Sequence, residues 1–227
     1  MAISVVQTAA WVNSAWTGTF GVNVTAGNTV FLAASGYNTT SVTISSSAPT
    51  FGGGSVSGAA KILEQAYPYD GAATDYGAVW MLPNVAGGSA SFGLTMTNSQ
   101  AITAVGIMAW EVSGLGTGPV TDQSVSADGA STAVSSGATG AIASAPEFVI
   151  GFGVQDATVT TIPGAPWAST SVNPGTNNNS FTGYQIATSS GGTYTYSATA
   201  TVTAKWAAGT VTVATTPAVA YSMRMMP

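Results

Sequence analysis

Between Thr193 and Trp206 the chain alternates at every residue: Tyr194, Tyr196, Val202 and Trp206 fall on one side of an extended backbone, and hydroxyl side chains plus Lys205 fall on the other. A side-chain period of two belongs to a half-buried strand, so this stretch predicts a strand that is long or bent once. The same signal recurs where Phe92, Leu94 and Met96 alternate with Gly93, Thr95 and Thr97. Phe20, Val22 and Val24 alternate with Thr19, Gly21 and Asn23, and Thr25-Ala26-Gly27-Asn28 then predicts a hairpin turn into Val30 and Leu32. Val219, Tyr221, Met223 and Met225 predict a closing strand. Helical periodicity is nearly absent. Only Ala59 to Gln65 fits a short helix, and it fits a strand equally well.

Two apolar runs lack the alternation, Ile102 to Val112 and Phe148 to Val154, and are expected to be strands covered on both faces at the centre of the fold. Glycine clusters at residues 52–54, 87–88, 114–118 and 191–192 divide the chain into short pieces. Many short strands so punctuated predict an all-β sandwich or barrel. A chain of 227 residues is long enough to bury a proper core as one β domain spanning residues 1–227. Long loops or irregular edge strands are expected near residues 113–145, rich in Ser, Ala and Gly, and near 161–180, with three prolines and an Asn177-Asn178-Asn179 run.

Composition limits the chemistry. Charged residues make up 5% of the chain, against roughly 25% in an ordinary soluble domain. The surface is therefore built from Ser, Thr, Asn, Gly and Ala, which lowers the desolvation cost of packing against neighbours and gives up charge repulsion as a way of staying apart. Three basic residues, Lys61, Lys205 and Arg224, and a net charge of -5 argue against nucleic acid as a partner. Without His or Cys the chain lacks the commonest general base and metal ligands, and most hydrolytic triads with them; no cofactor and no enzymatic activity are expected. No apolar stretch is long enough to span a bilayer as a helix, so no membrane partner is expected. The N-terminus lacks the basic and apolar regions of a secretory signal, so Met1 reads as a true start and synthesis in the cytosol is expected.

The segments Thr25 to Val30, Val79 to Asn84, Ile107 to Leu115 and Pro146 to Gly151 together resemble a β-sandwich family common in phages of actinobacteria and in some bacterial surface proteins. The resemblance covers roughly residues 20–155, each motif marks a strand edge, and the region after Asp156 follows no pattern of the family. It implies a jelly-roll or concanavalin-like antiparallel β-sandwich and a place in the virion as a capsid decoration or minor tail protein. Assembly in the host cytoplasm, docking on major capsid or tail proteins, and homo-oligomerisation around a symmetry axis follow from that role. A carbohydrate-binding module or tail adhesin recognising host surface glycans is the alternative.

The candidate contact residues are the aromatics Trp167, Tyr37, Tyr67 and Tyr69, with Asn177, Asn178 and Asn179 beside them in sequence-derived loops. Aromatic faces stack on sugar rings and anchor protein interfaces. Trp167, in the proline-rich Ile162 to Trp167 loop, is the leading one, with capping of an open sandwich end as its plain structural role. Trp16 is a further exposed-looking aromatic. Of the eight carboxylates, Glu64, Asp70 and Asp75 cluster in sequence and are expected to be solvated loop groups, with a carboxylate pair for glycoside hydrolysis or a calcium site as the functional readings. Glu111, inside an apolar run, must be paired, hydrogen-bonded or near water at a strand end, with Lys205 or Arg224 as partner. Its functional reading is an intramolecular Lys–Asn crosslink promoted by a nearby acid, as found in surface adhesins and pilins. Asn23-Val24-Thr25 and Asn38-Thr39-Thr40 match a glycosylation pattern but read more simply as turns.

Overall fold

The computed structural model of the chain describes residues 2–12, 16–38, 44–68, 74–98, 104–172 and 179–215. Within them the chain is all-β, with no helix. The strands are β1 (Ser4–Val12), β2 (Thr17–Thr19), β3 (Thr29–Asn38), β4 (Ile44–Phe51), β5 (Gly54–Ser55), β6 (Ala60–Pro68), β7 (Thr74–Leu82) and β8 (Ser91–Asn98). They continue with β9 (Ala104–Ser113), β10 (Val120–Ser135), β11 (Glu147–Gln155), β12 (Val159–Thr161), β13 (Ala168–Val172), β14 (Asn179–Ala187) and β15 (Ser197–Ala214).

Every strand pairing is antiparallel, and the pairs form three sheets. One has the order β1-β9-β3-β7-β6, a second β2-β8-β4-β5, and the third β10-β15-β11-β14-β13 with β12 beside β15. The first two are nested: β1 pairs β9, β2 pairs β8 and β3 pairs β7, as if one long double-stranded ribbon had been rolled up, and β3·β9 and β4·β8 close the roll.

The five-stranded sheet is the middle layer. From β3 and β7, Val30, Leu32, Ala34, Ala78, Trp80 and Leu82 point toward Phe20, Phe51, Phe92 and Leu94 of the four-stranded side. The alternate residues Phe31, Ala33, Val79 and Met81 point the other way, onto Phe148, Ile150, Phe152, Val211 and Val213 of β11 and β15. Two covered faces leave no polar side to such strands, which is why the run from Ile102 lacks alternation: in β9, Ile107 and Ala109 join one core and Met108, Trp110 and Val112 the other. β11 is buried along its whole length, as its sequence predicts. Its outer face is covered by Tyr196, Phe181, Ile142 and their neighbours.

Glycines set how closely these layers approach. A Cβ on Gly77 would overlap the Phe152 ring, and Cβ atoms on Gly151 and Gly153 would overlap the rings of Tyr196 and Phe181. Gly77→Ala is expected to push β7 from β11 and to lower stability by about 1–3 kcal/mol, read from the urea midpoint at unchanged m-value.

Several expectations change. Ala59 to Gln65 falls mostly in strand β6, where pairing to β7 across a bulge at Lys61/Leu63 decides between the two periodicities. Residues 20–28 form no strand. Phe20 and Val24 are buried while Val22 is 64% exposed, because these residues lie as a cover over the four-stranded side rather than within a sheet. About half of the region near 113–145 is the 16-residue strand β10, an edge strand with register shifts, and the region near 161–180 contains the edge strand β13 and the start of β14, so of the two readings offered for these regions the irregular edge strand accounts for β10 and β13. In the last strand, Tyr194 and Tyr196 precede β15, and Val202 is 58% exposed although the alternation places it inward; Trp206 is buried as expected. The predicted closing strand at 219–225 lies outside the described residues.

Candidate functional site

Asp75 is the second residue of β7, on the face that also carries Gly77, Val79 and Met81 and that meets the third sheet. Its neighbours in register are Tyr67 on β6 and Tyr37 on β3. The residue is fully buried, and neither carboxylate oxygen has a hydrogen-bond partner. Opposite it, on β15, Lys205 holds its Nζ 5.4 Å from the centre of the Tyr67 ring. Asp156, one residue past β11, donates its backbone N–H to the Lys205 carbonyl at 3.2 Å. Burial pushes the Asp75 carboxyl up to about 7, with repulsion from Asp156 adding to the shift and Lys205 opposing it. Burial also raises Asp156, again against Lys205. The arrangement is an amine and two carboxyl groups at one end of the layer between two sheets, one carboxyl titrating near neutrality, which is an arrangement suited to proton transfer.

This corrects the expectation for Asp75, which is a core residue and no solvated loop group. Glu64, grouped with it in sequence, makes an ion pair with Lys61 on the surface of β6. Asp70 lies outside the described residues. The alternation Asp75-Tyr76-Gly77-Ala78-Val79 did carry the signal, since it places Asp75 on an inward face.

A second carboxylate pair lies at the other end of β11. Backbone N–H donation from Ala143 at 2.7 Å holds Asp122 below the usual carboxylate range, while burial holds Glu147 above it, with Ser144 Oγ donating to Glu147 at 3.4 Å. Burial also pushes the nearby Tyr194 hydroxyl up, with the Glu147 charge adding to the shift.

Glu111 is fully buried and accepts three hydrogen bonds, from Gln7 Nε2 at 2.6 Å, the Thr25 backbone N–H at 2.9 Å and Asn28 Nδ2 at 2.6 Å. It anchors the 20–28 cover to β1 and β9. The partners are therefore amides rather than the expected Lys205; Arg224 lies outside the described residues. Both oxygens are engaged by amides, and no lysine is among its hydrogen-bond partners.

The structure does not gather the predicted contact residues into one place. Trp167 is half-buried on the outer face of the third sheet, its ring edge-on to Tyr196 at 4.9 Å and 71°, and its backbone N–H bonds Gly164 O at 3.0 Å. There it packs on a sheet face, against Tyr196 and its neighbours. Trp167→Ala is expected to cost about 1–2 kcal/mol of stability through the lost ring pair and burial, measured by chemical denaturation. Asn179 is buried and donates from Nδ2 to Ala157 O at 2.6 Å, a structural bond. Tyr67 belongs to the Asp75 cluster. Tyr37 is placed by its backbone alone, and Tyr69, Asn177 and Asn178 lie outside the described residues. Trp16 is buried rather than exposed.

A shallow groove of about 400 Å³ lies across β2, β8 and β4 of the four-stranded sheet, lined by Thr17, Thr19, Thr50, Ser91, Phe92 and adjacent glycines. Among the described residues no group of three or more acidic side chains could hold a metal ion, and no helix is long and apolar enough to cross a membrane. No protein family, curated protein or solved structure matches the chain.

Proposed function

We propose that the chain is a structural protein of a phage particle, docking on the capsid or tail through neutral loops and strand edges. The observation that carries this reading is the nested pairing of β1 to β9, with β1·β9, β2·β8 and β3·β7, which is how a jelly roll, a fold shared by viral capsid and lectin domains, pairs its strands. The sparse charge supports it: an exterior with so few ionic groups loses little on being covered. The engagement of Trp167 with Tyr196 weighs against the adhesin alternative, because part of the indole already serves internal packing.

The test is co-sedimentation of the purified chain with assembled phage capsids and, separately, tails. Saturable binding at a fixed copy number per particle is the expected result. Absence of binding to either, with glycan-array signals lost on removal of an exposed aromatic, would replace the virion reading with the glycan-binding one.

A further inference from the structure

The Asp75 cluster has a consequence independent of the virion reading. We infer that Lys205 and Asp156 condense into an intramolecular amide that ties β15 to the end of β11, with the buried carboxyl of Asp75 as the acid that promotes the reaction.

Reach is set by the end of the sheet. Asp156, in the bend that follows β11, comes next after the register pairs Val154 with Ala207 and Gln155 with Trp206, and its N–H bonds the Lys205 carbonyl at 3.2 Å. Residues directly opposite on such strands have Cβ atoms about 4.5–5.5 Å apart, within the span of a folded lysine stem joined to an aspartyl carbon. Tyr67 covers the lysine from the middle sheet and limits access of water from that side. Asp75, beside Tyr67 in register, faces both partners from the opposite sheet. A fully buried carboxyl without a hydrogen-bond partner is costly to retain, and a role in proton transfer accounts for its presence here.

The reaction balances without an oxidant or cofactor. A proton passes from the Lys205 ammonium to the Asp156 carboxylate, whose hold on a proton is raised by burial. The neutral Nζ attacks Asp156 Cγ; the Asp75 carboxyl donates its proton to the departing hydroxyl and recovers one from the attacking nitrogen. An N–C bond forms, a C–O bond breaks, and one water leaves. Burial keeps the Asp75 proton in place near neutral pH. A vestibule of about 320 Å³ lined by Ala130, Asp156, Thr203, Ala204 and Lys205 gives the water a way out.

The test is the intact mass of the full chain, folded at neutral pH and then denatured for measurement. The expected mass is lighter than the sequence mass by one water, and proteolysis should yield a branched peptide joining Lys205 to Asp156. Lys205→Arg and Asp156→Ala should restore the full mass, which separates the crosslink from water loss at the Asp70-Gly71 and Asp128-Gly129 steps. Asp75→Ala should also restore it; if that variant fails to fold, Asp75→Asn, which keeps the shape and lacks the transferable acid proton, replaces it. A folded wild-type chain at full mass, or water loss persisting in Lys205→Arg, would overturn the crosslink. Undiminished crosslinking in a folded Asp75 variant would overturn the role of the acid.

Discussion

Raising the pH from about 4 to about 8 is expected to remove about 4 kcal/mol of folding stability through Asp75 alone, a figure that follows from the separation between its ordinary and its buried titration. The unfolded chain releases this proton near pH 3.9, whereas the folded chain holds it until about pH 7. Between those values only the unfolded state loses the proton and is favoured by doing so. The contribution is therefore whole below about pH 4, declines through the interval, and is gone above about pH 7. Glu147, raised, acts in the same direction, as does Asp156 wherever its carboxyl is free, and Asp122, lowered, acts against them. Asp75→Asn isolates the effect, because it cannot ionise: its stability plotted against pH should lack this part of the slope, whatever constant offset the variant carries. Urea titrations at unit pH intervals measure the difference. Parallel curves for the two proteins would mean that Asp75 is solvated in the native state.

Glu111→Ala should be the most damaging polar substitution, at about 3–5 kcal/mol, because it leaves the Thr25 N–H and the Gln7 and Asn28 amides without their buried acceptor. Gln7 keeps two bonds, donating to Val22 O at 3.1 Å and accepting from the Val22 N–H at 3.3 Å, so the loss should centre on Thr25 and Asn28. Glu111→Gln preserves the volume but forces its own N–H2 group toward other donors, and should fall between Ala and wild type. Guanidinium midpoints report the loss. Faster hydrogen exchange in the 20–28 cover, with β9 still protected, would locate it. An Ala variant as stable as wild type would show that water replaces the carboxylate.

Much of the fold was legible because a period of two needs no tertiary information: β8, β9, β11 and the first half of β15 lie where alternation or its absence puts them. Where the reading failed, tertiary context decided. Phe20 and Val24 alternate like strand residues, yet three hydrogen bonds to Glu111, one of them from the Thr25 backbone, hold their segment as a cover. Ala59 to Gln65 has the composition of either element, and pairing with β7 selects the strand. The candidate site was less legible, since Asp75 and Lys205 lie 130 positions apart and only the stacking of the middle sheet on the third brings them together. Chain proximity instead linked Asp75 to Glu64, which belongs to the surface. Trp167 drew notice as a loop aromatic, but no local pattern reveals that Tyr196 waits beneath it.

Placing one sheet between two others has a consequence for how the chain is made. Every strand of the middle layer is complete by Ser113, whereas the layer that shelters Phe31, Met81 and Trp110 begins at Val120 and ends at Ala214. At ribosomal rates of about 5–20 residues per second, those side chains wait about 5–20 seconds for their cover. During that interval the nascent polypeptide presents a greasy flank with little charge to repel its neighbours, so yield in a heterologous host should depend on chaperone supply and on slow translation at low temperature.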